Sequence, residues 1–181
     1  MSTVAIEPEI GIKNVTASVT IDALTQVLSD EHVLYIKLRN CHWNVTGPHF
    51  VELHGLFAEQ YGMVEAHIDE VAERIRALGA HAIGTMTEYL QRTALREHAG
   101  RVCSATEMLG DLLGDHESII RFVRESLAPP AGNDLEAGSA DLLTGLMQDH
   151  EKMAWMLRAI LSDGPGVHQA VQRVPDSVLY D

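Results

Sequence analysis

The chain is predicted to be an all-α four-helix bundle, with a short helix in the connection between the second and third long helices. Three observations predict this. Apolar residues recur at steps of three and four over several long stretches. One stretch, Phe50 to Leu78, covers about 29 residues, roughly 43 Å at ~1.5 Å per residue, a length that belongs to bundles. Helix breakers separate the stretches: Thr46-Gly47-Pro48, Gly79 and the run from Ala128 to Asp134.

Residues 1–17 contain Pro8 and Gly11 without a sustained period, and are expected to form a flexible N-terminal arm. The bundle is expected over 18–162. The first long helix is predicted from Ser18 to Val45, with Leu24, Val27, Leu28, Glu31, Leu34, Tyr35 and Leu38 on its repeating face. The second carries the clearest stripe: Phe50, Leu53, Phe57, Tyr61, Val64, Ile68, Val71, Ile75 and Leu78. Thr85 and Glu88 have capping-box spacing for a short helix near 85–90. The third long helix is predicted over Arg101–Leu127, with Val102, Met108, Leu109, Leu112, His116, Ile119, Ile120 and Val123 inward. The fourth is predicted over Ser139–Leu161, with Leu142, Leu146, Met153, Met156, Leu157 and Ile160 inward and the methionines as core filler. Residues 163–181, including His168, are expected to be an extended surface tail. The connection between the second and third long helices is long enough to cross the bundle end to end, as in ferritin-like topology.

Composition excludes several functions. The chain has 181 residues, 46% of them hydrophobic, which fits one domain with a real core. Lys and Arg number 13 against 26 Asp and Glu, a formal charge of −13. Such a chain is a poor general nucleic-acid ligand but suits cation capture. Cys41 and Cys103 are too few and too far apart in sequence for a disulfide scaffold or a cysteine-rich zinc site. There is no basic-flanked apolar leader, and no uncharged run reaches about 18 residues, so a soluble protein of a reducing compartment, the cytoplasm, is expected. Phosphate loops, nucleophile elbows and Cys-x-x-Cys pairs are absent.

The stretch from His42 to Glu73 carries the chemistry. Asp69 and Glu73 stand four apart on one face of the second helix, and His54 lies on roughly the same face. Imidazole with carboxylate suits Fe(II), Zn(II) or Mn(II). His54 and Asp69 are separated by about 22 Å of axial rise, while metal–ligand bonds are near ~2 Å. They cannot share one ion within a chain. His42, at the end of the first helix, faces His54 across a short turn. A pairing of the second helix with its antiparallel copy would join His42 and His54 of one chain to Asp69 and Glu73 of the other, in a C2 dimer with two equivalent sites. Small residues, Ala58 and Gly62, lie where the two copies would cross. A di-iron centre of the Glu-x-x-His type is excluded within the chain, because no histidine has Glu or Asp three residues before it. Glu73 beside Arg74 and Arg76 also fits an ordinary surface ion-pair region.

Taken together, His42-Trp43-Asn44-Val45-Thr46-Gly47, Leu53-His54-x-x-Phe57, Asp69-Glu70-Val71-Ala72-Glu73-Arg74-Ile75 and Leu78-Gly79 resemble the Dps family, the mini-ferritins named for DNA-binding proteins from starved cells. Asp115-His116-Glu117, Thr144-Gly145-Leu146-Met147 and His150 to Leu157 match its later helices, so the resemblance covers residues 20–162. It implies a hollow homododecamer built from two-fold dimers, with ferroxidase centres between chains. His42 and His54 would come from one side and Asp69 and Glu73 from the other, with Glu73 bridging two ions. Hydrogen peroxide would be the preferred oxidant of Fe(II), and ferric oxide would be stored inside. Trp43 would be an electron donor quenching stray oxidising equivalents. Asp141, and more weakly Asp134 and Glu136, would line iron pores.

One departure stands out. The family has Asp or Glu one turn after its second histidine, and this chain has Ala58. The ion position near His54 is then expected to be weaker, filled transiently, or suited to Zn(II), unless Glu65 or a water replaces the missing ligand. DNA binding is expected to be weak or absent. The N-terminal arm has one lysine, and −13 multiplied by twelve chains gives −156. The alternatives are a Dps-like cage chiefly binding another metal such as zinc, a nucleoid-compacting DNA-binding protein, and a small-molecule-binding helical bundle.

Overall fold

A computed structural model describes residues 8–129 and 134–162. These residues form five helices: α1 (Asn14–Asn44), α2 (Phe50–Ala77), α3 (Met86–Arg92), α4 (Ala105–Leu127) and α5 (Ala137–Ser162). No strand occurs among them, and none of their helices is long and apolar enough to cross a membrane. The expected tail, with His168, and residues 1–7 of the arm lie outside the described residues.

Contacts along α1 fix the topology. Tyr35 meets Tyr61 and His42 meets His54, so α2 runs antiparallel to α1. Lys37 pairs with Asp115 of α4, and Cys41 lies near Asp111, so α4 is also antiparallel to α1. Glu136 accepts nothing from α1 but its backbone N–H donates to Thr20, and His150 reaches Glu31, so α5 runs parallel to α1. The α2–α4 connection therefore climbs the whole bundle. It is fastened on the way by Arg92 to Asp22, by the Ala94 N–H to Asp30 at 2.8 Å, and by Lys37 to the Arg96 carbonyl at 2.9 Å.

Caps set the helix limits. The Thr85–Glu88 capping box opens α3 as the spacing predicts. A second box, Ser104 with Glu107, opens α4 at Ala105. The predicted start at Arg101 is thus four residues early, and Val102, expected inside, precedes the helix and is 97% exposed. Gly79, at φ +90°, ends α2 in a Schellman arrangement, with Gly79 N–H bound to Arg76 and Ala80 N–H to Ile75. A Cβ on Gly79 would lie 2.7 Å from Pro8, which packs over that turn.

α1 begins at Asn14 rather than Ser18. Its first turn carries exposed Val15 and gives no apolar period, so only hydrogen bonding reveals it as helix. α5 begins two residues before Ser139, where Glu136 bonds the Gly138 and Ser139 N–H groups. Ile160, expected inward, is exposed near the end of α5.

Phe50, placed at the head of the α2 stripe, is exposed as well, and elsewhere the core follows the pattern: Leu24, Leu28, Leu34 and Leu38 of α1, Phe57, Val64, Val71 and Ile75 of α2, Leu112 and Ile119 of α4, and Leu143 and Leu157 of α5 are fully buried. Burial of such side chains stabilises by about 1.5–3 kcal/mol each. Both tryptophans stay outside this core: Trp43 is 63% and Trp155 61% exposed.

Candidate metal centre

The α1–α2 turn brings His42 and His54 together. Their rings stack with centroids 3.7 Å apart. Nδ1 of His42 lies 2.7 Å from the His54 carbonyl, and Nδ1 of His54 lies 2.8 Å from the His42 carbonyl. A carbonyl only accepts, so each Nδ1 carries the proton and donates. Each Nε2 is then a bare lone pair, the form in which imidazole binds a metal. The pair is half-buried. Phe50 stacks on His54 at 5.1 Å and Tyr61 packs edge-on to His42 at 5.4 Å, which fixes both rings.

Asp69 and Glu73 lie exposed on the same helix as His54, farther along by about 22 Å of rise. Within one chain the structure does not bring them to the histidines. Ala58 is half-buried one turn beyond His54 and offers no ligand atom. Glu65 faces the Tyr35 hydroxyl at 3.4 Å. Arg39 sits among three aromatic rings, 5.1 Å from Trp43, 5.2 Å from Tyr61 and 5.5 Å from Tyr35. Trp43 is therefore a surface residue beside the histidine pair, not a core aromatic. At the opposite end of α1, Asp134 and Asp141 are exposed. Glu136 is engaged by the Gly138 and Ser139 N–H groups at the start of α5, by Arg74 and by the Ser139 hydroxyl, which hold its carboxyl down at about 2.

A ferritin-like domain family model matches residues 21–167. The chain is 39% identical over 142 residues to DNA protection during starvation protein 2 of Bacillus anthracis, covering 78% of this chain and 96% of that one. The chain belongs to the Dps family. It is also 42% identical over 156 residues to an uncharacterized low temperature-induced protein of Nostoc, covering 86% and 87% of the two chains. The Vibrio cholerae Dps structure, described as one of the ferritin-like diiron-carboxylate proteins, superposes with a TM-score of 0.78 at 29% identity, over 89% of this chain and 99% of that one. Metal binding and iron storage are thereby the family-level setting for this Dps chain.

A second group of ligand-type residues lies inside the bundle, one from each long helix: Glu31 of α1, His67 of α2, His116 of α4 and His150 of α5, all buried. His150 Nε2 is 2.6 Å from Glu31 Oε1, and His150 Nδ1 is 2.8 Å from His116 Nδ1. His67 Nδ1 is 3.9 Å from Glu31 Oε1, and its Nε2 is 3.2 Å from Asp149. Burial raises the Glu31 carboxyl to about 8 against the opposing pull of His67, and burial pushes His150 down to about 3 and His116 well below the usual histidine range. No local spacing reveals this group, since its members come from four helices. The available signal was polar residues standing at inward positions of the stripes, as Glu31 and His116 do.

Proposed function

We propose that this Dps chain is a ferroxidase subunit that oxidises Fe(II), preferentially with hydrogen peroxide, at centres shared between two-fold related copies, and stores the ferric oxide in a hollow dodecamer. The observation that carries this reading is the His42–His54 pair, with both Nε2 lone pairs free, set too far along α2 from Asp69 and Glu73 for one chain to close the site. In an antiparallel pairing of α2 with its copy, His42 and His54 hold one side of the substrate iron, and Asp69 and Glu73 supply the negative charge on the other. Glu73 is the bridging group.

Each of two ferrous ions gives one electron to peroxide. The O–O bond takes both electrons and breaks, its oxygens end at the oxidation level of water, and hydrolysis of the ferric ions releases protons as oxide forms. Trp43 serves as a surface donor for stray oxidising equivalents. Asp141 and Asp134 line the iron path, with Glu136 secondary because its carboxylate already caps α5. The cage works in the cytoplasm, and its charge leaves DNA binding weak or absent at physiological salt.

The test is anaerobic addition of Fe(II) followed by peroxide, read as iron oxidised per chain. His42→Ala with His54→Ala should abolish the fast phase. Oxidation at the wild-type rate by that variant would sink the reading. Ala58 favours a second reading, a cage holding Zn(II) at the same centre. Under that reading, equimolar Zn(II) outcompetes Fe(II) and peroxide-driven oxidation is slow.

A further inference from the structure

We propose that Glu31, His67 and His150 form a separate metal site inside each bundle, which takes a single divalent transition-metal ion of the Zn(II) or Fe(II) class. The carboxylate of Glu31 and the ring nitrogens of the two histidines all lie within 4.8 Å of one another, and all three residues are buried. Glu31 Oε2 and His67 Nδ1 have no hydrogen-bond partner among the described residues. Buried atoms of this kind are costly unless something pairs them.

The outer contacts sharpen the case. His67 Nε2 faces the Asp149 carboxylate at 3.2 Å. Carboxylate oxygens accept, so that nitrogen donates, and His67 Nδ1 becomes a lone pair aimed at Glu31. That lone pair and the Glu31 carboxyl then face each other across 3.9 Å without a hydrogen bond between them, a gap that a cation can fill. His150 is engaged at both nitrogens: Nδ1 lies 2.8 Å from His116 Nδ1, and Nε2 shares a proton with Glu31 Oε1 at 2.6 Å, which an ion would displace. Each inner histidine thus has its second nitrogen held by a partner, as metal-ligating histidines do. Asp149 and His116 are the positioning residues.

Distances fit an ion with small movements. Ligand atoms around a tetrahedral zinc with bonds near ~2.0–2.1 Å stand about 3.3 Å apart, so the Glu31–His150 contact opens and the Glu31–His67 contact closes by about 0.6–0.7 Å each, and the two histidine nitrogens, within 4.8 Å of one another, draw in toward the ion. Two imidazoles and one carboxylate suit a borderline divalent ion and leave one coordination position open. A single carboxylate is too little charge for a pair of ions, which makes the site mononuclear. It is distinct from the His42–His54 pair: Glu31 lies about 16 Å below His42 along α1, and His67 about 20 Å beyond His54 along α2. Asp149, whose side chain is 48% exposed, connects His67 to the surface.

The experiment uses full-length protein carrying His42→Ala and His54→Ala, so that the shared centre is gone. The interior site lies within one chain, so the readout holds whatever that change does to assembly. Anaerobic titration with Co(II) should give one ion per chain and the visible ligand-field absorption of a four- or five-coordinate nitrogen and oxygen site. Adding Glu31→Gln or, separately, His67→Asn should weaken binding at least tenfold. His67→Asn provides a second route if Glu31→Gln fails to fold. Displacement of Co(II) by Zn(II) or by Fe(II) supports the site, and the stronger competitor is the preferred ion. The proposal is overturned if the folded His42/His54 variant binds no Co(II), if neither ion displaces it, or if both interior variants bind as tightly as their parent.

Discussion

The histidine pair at the α1–α2 turn and the histidine–glutamate group in mid-bundle use similar residues in opposite ways. The pair is half-buried, and its Nδ1 atoms are held by backbone carbonyls. The interior group is buried, drawn from four helices, and leaves Glu31 Oε2, His67 Nδ1 and His116 Nε2 without a hydrogen-bond partner among the described residues. Rings held by a tight turn can be presented outward, because the geometry survives without a partner chain. A buried carboxylate among imidazoles has no such freedom, and its atoms must find one another across the core. Under the proposed reading, one site depends on assembly and the other on folding.

The largest effect that could break this contrast comes from mixing chains. A His42→Ala/His54→Ala chain and an Asp69→Ala/Glu73→Ala chain should each lose fast iron oxidation, by about a hundredfold if ligand loss costs at least what loss of an outer partner does. Refolded together they should regain one working centre per mixed dimer, measured by stopped-flow after peroxide addition. No recovery in a confirmed mixed dimer would mean that the centre is not shared. Next in size is Phe57→Ala. This fully buried ring lies on α2 between the two regions, and its loss should cost about 3–5 kcal/mol in denaturant unfolding, disturbing both.

Ala58→Asp should act on the shared centre alone. It should raise the Fe(II) bound there, by calorimetric titration, while leaving Co(II) binding by the interior group unchanged. Capping gives a smaller effect that should touch neither: Ser104→Ala should lower stability by about 1 kcal/mol. The smallest is a pH effect in the same box. Ser104 and Arg101 hold Glu107 down from 4.5 to about 2. A depressed carboxylate stabilises the fold above its unfolded pKa, and that contribution fades as pH falls from 4.5 toward 2. Glu107→Gln should therefore flatten the acid side of the melting-temperature profile.

Much of the fold was legible because its signals are local. The Phe50–Leu78 stripe, the Thr85–Glu88 box and the breaker at Gly79 each act within a few residues, and the helices follow them. The His42–His54 approach was legible too, since a short turn between antiparallel helices leaves little choice. The interior group was not. Glu31 contacts His150 across 119 positions, and His67 contacts Asp149 across 82. Only the packed register of four helices brings them together. The early turn of α1 and the late start of α4 escaped for the converse reason: hydrogen bonding and a Ser104 cap decide them, and apolar period does not.

The placement of the two tryptophans has a practical consequence. With Trp43 and Trp155 both standing on the outside of the isolated bundle, their fluorescence registers what lies against the surface more than whether the core is intact. Intrinsic emission becomes a gauge of company, and far-ultraviolet circular dichroism a gauge of helix. A dilution or denaturant series followed by both signals should separate the parting of neighbours from the melting of each chain.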